Sequence, residues 1–272
     1  MKYSVLMSLY KNDNPSYLGL ALDSMINQTV KPDEIVLVKD GPIPRKLQKI
    51  IDDRKKSFRF IKDIQLRQNV GLGLALNEGI KECKNELIAR MDADDISDPT
   101  RCEKQVSRFI SNNNLDIVGC LVKEFSGEVG NIVGRRDVPL NNDEIHKYAR
   151  RRDPFNHPTV MYKKSSVLKV GGYGDYRKNQ DTDLWIRMLH DGCMAENINE
   201  YLLLFRFDDD TYRKRKSWVN TKLLIKIRRN GYKIGFSSLN DYFTVATAQL
   251  ALFCMPIWLQ KLVYKKILRK AV

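Results

Sequence analysis

Three carboxylates stand within four residues at Asp92-Ala93-Asp94-Asp95, directly after the largely apolar run Leu87-Ile88-Ala89-Arg90-Met91. At the end of a buried strand such groups repel one another and resist desolvation, so they persist where a positive charge sits among them. Their oxygens suit a hard divalent cation that also holds a phosphate. That pattern points to an enzyme acting on a phosphorylated or nucleotide-linked substrate. An EF-hand is excluded, because its fifth position would be Ile96 and its glycine and terminal Glu are absent.

The surrounding elements must bring that cluster to an open edge. Residues 3–9 read as a short apolar strand, followed by a helix with Leu18, Leu22, Met25 and Ile26 at helical spacing. Glu34 to Val38 forms a second strand closed by Lys39-Asp40-Gly41-Pro42, residues 45–56 a helix, and Ile61 to Leu66 a third strand. After Asn69-Val70-Gly71-Leu72-Gly73 comes a helix to about Cys83, then the strand into Asp92. This alternation predicts an α/β fold with a mostly parallel sheet flanked by helices. In such sheets ligands bind beyond the carboxyl ends of the strands, where Asp40, Asn69 and Asp92 all fall. Beyond Pro99 the pattern predicts a helix to about Asn113, a strand at 116–122, a loop-rich stretch, and an amphipathic helix opened by Gln180-Asp181-Thr182-Asp183-Leu184-Trp185.

The 272 residues suffice for one substantial core with an appendage, and 43% hydrophobic with 29% charged residues excludes global disorder. The net charge of +14 is unevenly placed. Residues 206–272 hold 15 Lys and Arg against 4 Asp, whereas residues 1–205 hold 32 against 29 acidic residues. The five cysteines follow no metal-finger spacing and fit a reducing cytosol, and the N-terminus enters a strand at once without the pattern of a signal peptide.

Five stretches in order then carry a family resemblance. They are Ser4 to Tyr10, Gln28 to Gly41, Asn69 to Gly73 with Asn77-Glu78-Gly79, Asp92 to Asp95, and Gln180 to Trp185, together covering residues 4 to about 190. The chain resembles family 2 glycosyltransferases of the GT-A fold, above all bacterial enzymes that build capsular polysaccharide, exopolysaccharide or O-antigen repeat units. The resemblance implies a UDP-sugar site lined by Ser8, Leu9, Tyr10, Asp40, Asn69, Gly71, Asp92 and Ala93, with Asp40 accepting from the uracil ring. It implies Mg2+ or Mn2+ on Asp94 and Asp92, and Asp181 as the base of an inverting displacement, with Asp183 as the alternative. Gln180 stands where the family usually has Glu. His157, Gln180 and Trp185 fall on the acceptor side, and the implied acceptor is a saccharide on a polyprenyl diphosphate. Arg206 and the Tyr212-Arg213 region could close over the diphosphate, and Asp95 either supports the metal site or caps the next segment. A nucleotidyltransferase would need a glycine-rich loop that Ser8-Leu9-Tyr10-Lys11-Asn12 lacks, and a nucleotide-binding scaffold without turnover is the non-enzymatic alternative.

The division expected is a catalytic domain over 1–205, with its nucleotide half about 1–100 and acceptor half about 101–205, then a tail over 206–272. Within the tail, residues 213–233 mix basic residues with Trp218, Leu223, Leu224 and Ile227, a basic amphipathic pattern suited to an anionic membrane surface. The apolar segment Tyr242–Leu259 is barely long enough to span a bilayer and fits an interfacial helix pair better, with a buried helix as the alternative. No nucleic-acid module is visible, and a homo-oligomer is left open. The expected location is cytoplasmic, peripheral to the inner face of the cell membrane.

Overall fold

A computed structural model describes residues 1–207, 217–256 and 259–260. Strands β1 (Tyr3–Leu9), β2 (Glu34–Lys39), β3 (Ile61–Gln65) and β4 (Leu87–Met91) pair in parallel in the order β3-β2-β1-β4. Helices α1 (Pro15–Ile26), α2 (Arg45–Ser57) and α3 (Leu72–Glu82) connect them. Strand alternation divides the core in two. Val5, Met7, Ile35 and Leu37 face Leu18, Leu22 and Ile51 on one side, while Leu6, Val36 and Val38 face Leu76 and Ile80 on the other. Because both faces are covered, these strands read as continuous apolar runs.

After β4 the chain forms β5 (Ile96–Ser97), α4 (Arg101–Ser111), β6 (Leu115–Phe125), β7 (Ile132–Arg136) and α5 (Asn142–Ala149). It continues through β8 (Met161–Lys163), α6 (Lys164–Lys169), α7 (Gln180–His190) and β9 (Met194–Arg206). The sheet extends as β4-β8-β6-β9-β5, with β7 on β6. Here β4–β8, β6–β8, β6–β7 and β5–β9 are antiparallel and only β6–β9 is parallel. The sheet is therefore mixed: the parallel expectation describes its first half. The stretch expected to be loop-rich holds β7 and α5, which are too short for periodicity to announce.

Two more helices, α8 (Trp218–Lys233) and α9 (Leu239–Cys254), pack against each other and, through α8, on α7. Gly231 of α8 lies against Ile186, Arg228 donates to the Ala149 carbonyl, and Arg151 pairs with Asp241 at 2.6 Å. A capping box between Ser238 and Asp241 starts α9. The basic segment is thus partly docked on the preceding part of the chain. No helix among the described residues is long and apolar enough to cross a membrane. Tyr212, Arg213 and the basic residues 214–216 and 261–270 lie outside the described residues.

Candidate active site

The parallel strands end on one edge, which collects the candidate residues. Asp40 follows β2, and its carboxylate accepts from Asn69 Nδ2 at 2.8 Å, Val70 N at 2.7 Å and Gly71 N at 3.0 Å. Asp40 therefore shapes the 69–71 loop. Gly71 needs its φ of 97°, and Arg177 lies across it while donating to Asn69 Oδ1 at 2.9 Å. At the end of β1, Leu9 is buried, Ser8 half-buried and Tyr10 exposed.

The acidic loop after β4 is tied down from several sides. Ser97 N donates to Ser24 Oγ at 3.1 Å, Gln28 Nε2 to the Asp98 carbonyl at 2.8 Å, and Arg206 N to Asp95 Oδ1 at 2.8 Å. Arg206 is itself buried, with its guanidinium 3.6 Å from the Tyr17 ring centroid and its Nε on the Asp94 carbonyl. The expectation that Arg206 belongs to a closing lid fails, because it is a wedge holding this loop to β9.

Asp92, Asp94 and Asp95 each present an oxygen within 4.8 Å of the others. Asp95 joins the cluster from inside: burial, then Asp94 and Asp92, drive its carboxyl well above the usual range. Its Oδ2 is buried without a hydrogen-bond partner. Loss of hydration, then repulsion from Asp92, pushes Asp94 up to about 6. An orphaned buried oxygen among mutually repelling carboxylates fits a hard cation, so these residues suit Mg2+ or Mn2+.

Arg90 lies two residues before Asp92, on the same side of β4 by strand alternation. Its guanidinium is fully buried, ion-paired with Asp92, and leaves Nε and Nη1 without hydrogen-bond partners. Burial opposes its charge, but Asp92 holds it protonated. A charged residue inside an apolar strand was the signal for Arg90, and the sequence reading passed over it.

Asp181 occupies the first turn of α7, right after Asn179, a non-glycine residue with left-handed backbone (φ 58°). Burial, then the negative charge of Asp153, raises its carboxyl to about 6. Asp183 points elsewhere: Arg187 Nε and Nη2 both donate to its Oδ2, at 2.9 and 2.6 Å. A cavity of about 730 Å³ is lined by Arg90, Asp92, Asp153, His157 and Asp181, and it continues along α8 and α9. His157 is pinned by Tyr173 at 2.9 Å and held neutral by burial and by Arg90. Gln180 is buried, with its side chain on Gly73 of α3. Trp185 is fully enclosed, edge-on to Phe155 and His157. Trp185, expected on the acceptor side, stands behind the cavity wall that Phe155 and His157 line. Asp153 and Arg228 were missed, because only tertiary packing joins them to Asp181.

The model for "Glycosyl transferase family 2" matches residues 4–171. The chain is 34% identical over 269 residues to an Escherichia coli UDP-Gal:alpha-D-GlcNAc-diphosphoundecaprenol beta-1,3-galactosyltransferase, covering 99% of this chain and 97% of that one. It is 35% identical over 267 residues to the Erwinia amylovora amylovoran biosynthesis glycosyltransferase AmsE, covering 97% and 98%. A crystal structure of S. aureus TarS residues 1–349 in complex with UDP-GlcNAc shares the fold at TM-score 0.65 and 17% identity, over 96% of this chain and 78% of that one. The fold and the acidic strand-end cluster thus define a GT-A-like sugar transferase. The chain belongs to glycosyl transferase family 2, and it is a glycosyltransferase.

Proposed function

We propose that this glycosyltransferase moves a sugar from a UDP-sugar to a polyprenyl-diphosphate-linked saccharide, with inversion, during surface polysaccharide synthesis. One observation carries the reading: Asp92 of the acidic cluster and Asp181 line the same cavity, with the buried Arg90 acting on both. The loops at 8–10, 40 and 69–71 receive the nucleotide at the strand ends. Asp92, Asp94 and Asp95 would hold Mg2+ or Mn2+, which when bound offsets negative charge on the departing diphosphate.

Asp181 takes the proton from the acceptor hydroxyl as that oxygen bonds to the anomeric carbon. The bond from that carbon to the UDP oxygen breaks on the opposite side, and its electron pair leaves with UDP. A carboxyl raised to about 6 is a stronger base than an ordinary Asp and is still ionised near neutrality. Asp183 is committed to Arg187, which favours Asp181. The names of the E. coli and Erwinia relatives support the acceptor class and pathway, and TarS with UDP-GlcNAc supports the donor class.

Peripheral attachment to the inner face of the membrane fits such an acceptor. It draws support from Trp218 and Val219, exposed at the start of the basic helix α8, and from Phe243, exposed on α9. The reading is tested with Asp181→Asn, assayed for transfer and titrated with UDP and Mn2+. Turnover should fall about 10^3-fold while UDP binding persists. Near-normal transfer would remove Asp181 from the role of base.

A further inference from the structure

We propose that the cavity leading from Asp181 along α5, α8 and α9 seats the lipid diphosphate of the acceptor. Arg152 takes the diphosphate, and the groove between α8 and α9 takes the first part of the isoprenyl chain. The inference rests on the glycosyltransferase reading and says where on this chain the acceptor lies.

One continuous cavity carries three chemistries. Its catalytic end is acidic, with Asp92, Asp153 and Asp181. Arg151 and Arg152 stand on its wall, and its far side carries Leu224 on α8 and Val245, Ala248, Leu252 and Phe253 on α9, with Thr244 and Gln249 among them. Contacts fix the order of these regions. Thr182 Oγ1 donates to Asp153 Oδ1 at 2.7 Å, which places residue 153 beside the first turn of α7. Arg228 Nη2 donates to the same oxygen at 3.2 Å and brings α8 to it. Two residues earlier, Arg151 pairs with Asp241, one helical turn before Val245 on α9. Residues 151–153 are therefore the joint between the catalytic end and the apolar groove.

The charge state of that joint identifies the occupant. Arg152 is exposed, with its guanidinium 5.2 Å from the Tyr148 ring centroid and no carboxylate partner among the described residues. Beside Arg151, which Asp241 holds, it presents a forked cation to a dianion, the geometry that suits phosphate oxygens. A nucleotide would use the cation but leave the apolar groove wet. A plain saccharide would use neither. A sugar joined through a diphosphate to a hydrocarbon chain matches the acidic end, the arginines and the groove in that sequence.

Farnesyl diphosphate is the probe, titrated calorimetrically into the full chain saturated with UDP and Mn2+, so that the donor's diphosphate site is filled. It should bind under these conditions, with inorganic pyrophosphate and farnesol each at least about tenfold weaker. Arg152→Gln should weaken farnesyl diphosphate about tenfold through loss of one charge-assisted contact. Ala248→Glu, at an exposed position of α9, should weaken it similarly by placing a carboxylate in the groove. Leu250→Glu, outside the groove, should bind as the parent does. Displacement of farnesyl diphosphate by UDP, or equal binding by Arg152→Gln and Ala248→Glu, would overturn the assignment. So would pyrophosphate binding as tightly as farnesyl diphosphate. If UDP with Mn2+ itself fails to bind, the UDP-sugar donor reading is what fails, and farnesyl diphosphate titrated alone still decides the groove.

Discussion

At the scale of single residues, the site is governed by carboxyl groups whose charge is discouraged. Asp181 sits near 6 because it is desolvated and faces Asp153. A base must be ionised to act, so kcat/KM should fall as pH drops through about 6. Replacing Asp153 with Asn removes a repelling charge and should move that acid limb to lower pH, as read from a pH–rate profile. The acidic loop responds to pH in the folding equilibrium. Asp94 has a folded-state value of about 6 against an ordinary 3.8. The folded chain therefore binds the extra proton between those values, and stability declines as pH rises through that window. A cation reverses this loss above it. At about pH 7.5, Mn2+ at a hundredfold excess over its Kd should stabilise by about 2.7 kcal/mol, seen as a melting rise of roughly 5 °C. The rise should shrink near pH 5, where the carboxyls are protonated. Asp95→Asn should raise the metal-free melting temperature and blunt the response to Mn2+, because it removes one repelling charge and one ligand.

At the scale of elements, the site is precise because its helices approach the sheet closely. A Cβ at Gly79 of α3 would come 2.3 Å from Leu6 Cδ1 and 2.7 Å from Val38 Cγ2. Gly79→Ala should therefore push α3 off β1 and β2, costing about 1–3 kcal/mol in urea denaturation. UDP affinity should fall with it, since the Asn69–Gly71 loop leads directly into α3. Strand β4 is anchored similarly. The buried Arg101 donates to the Pro158 carbonyl at 2.6 Å and to the Arg90 carbonyl at 3.3 Å, tying the His157 turn to the strand that ends in Asp92.

At the scale of the whole molecule, the C-terminal helices present two faces. Their inner faces complete the cavity, while Val219 and Phe243 remain 57% and 54% exposed on the outside. Val219→Ser with Phe243→Ser should lower flotation with anionic vesicles several-fold. The melting temperature should stay nearly unchanged, because neither side chain is in the core. Binding unaltered by the pair would remove this face from membrane attachment.

The sequence by itself determined the strand–helix alternation of residues 3–91, because two-sided burial leaves uninterrupted apolar runs and the connections are short. It also determined Asp40, Asn69, Asp92 and Asp94 as strand-end residues, since chain order places the ends of parallel strands on one edge. Asp181 was legible as an acidic first turn ahead of Trp185. Tertiary structure alone decided which carboxylates are held by partners and which are left open. Asp183 is paired with Arg187, Asp95 lies on the buried side of the loop, and Arg206 is wedged between Tyr17 and the Asp94 carbonyl. It also decided that the basic C-terminal segment folds back to line the cavity. Amphipathic spacing marks an apolar face but does not name its partner, and the contact of Arg228 with Asp153 joins residues 75 apart in the chain.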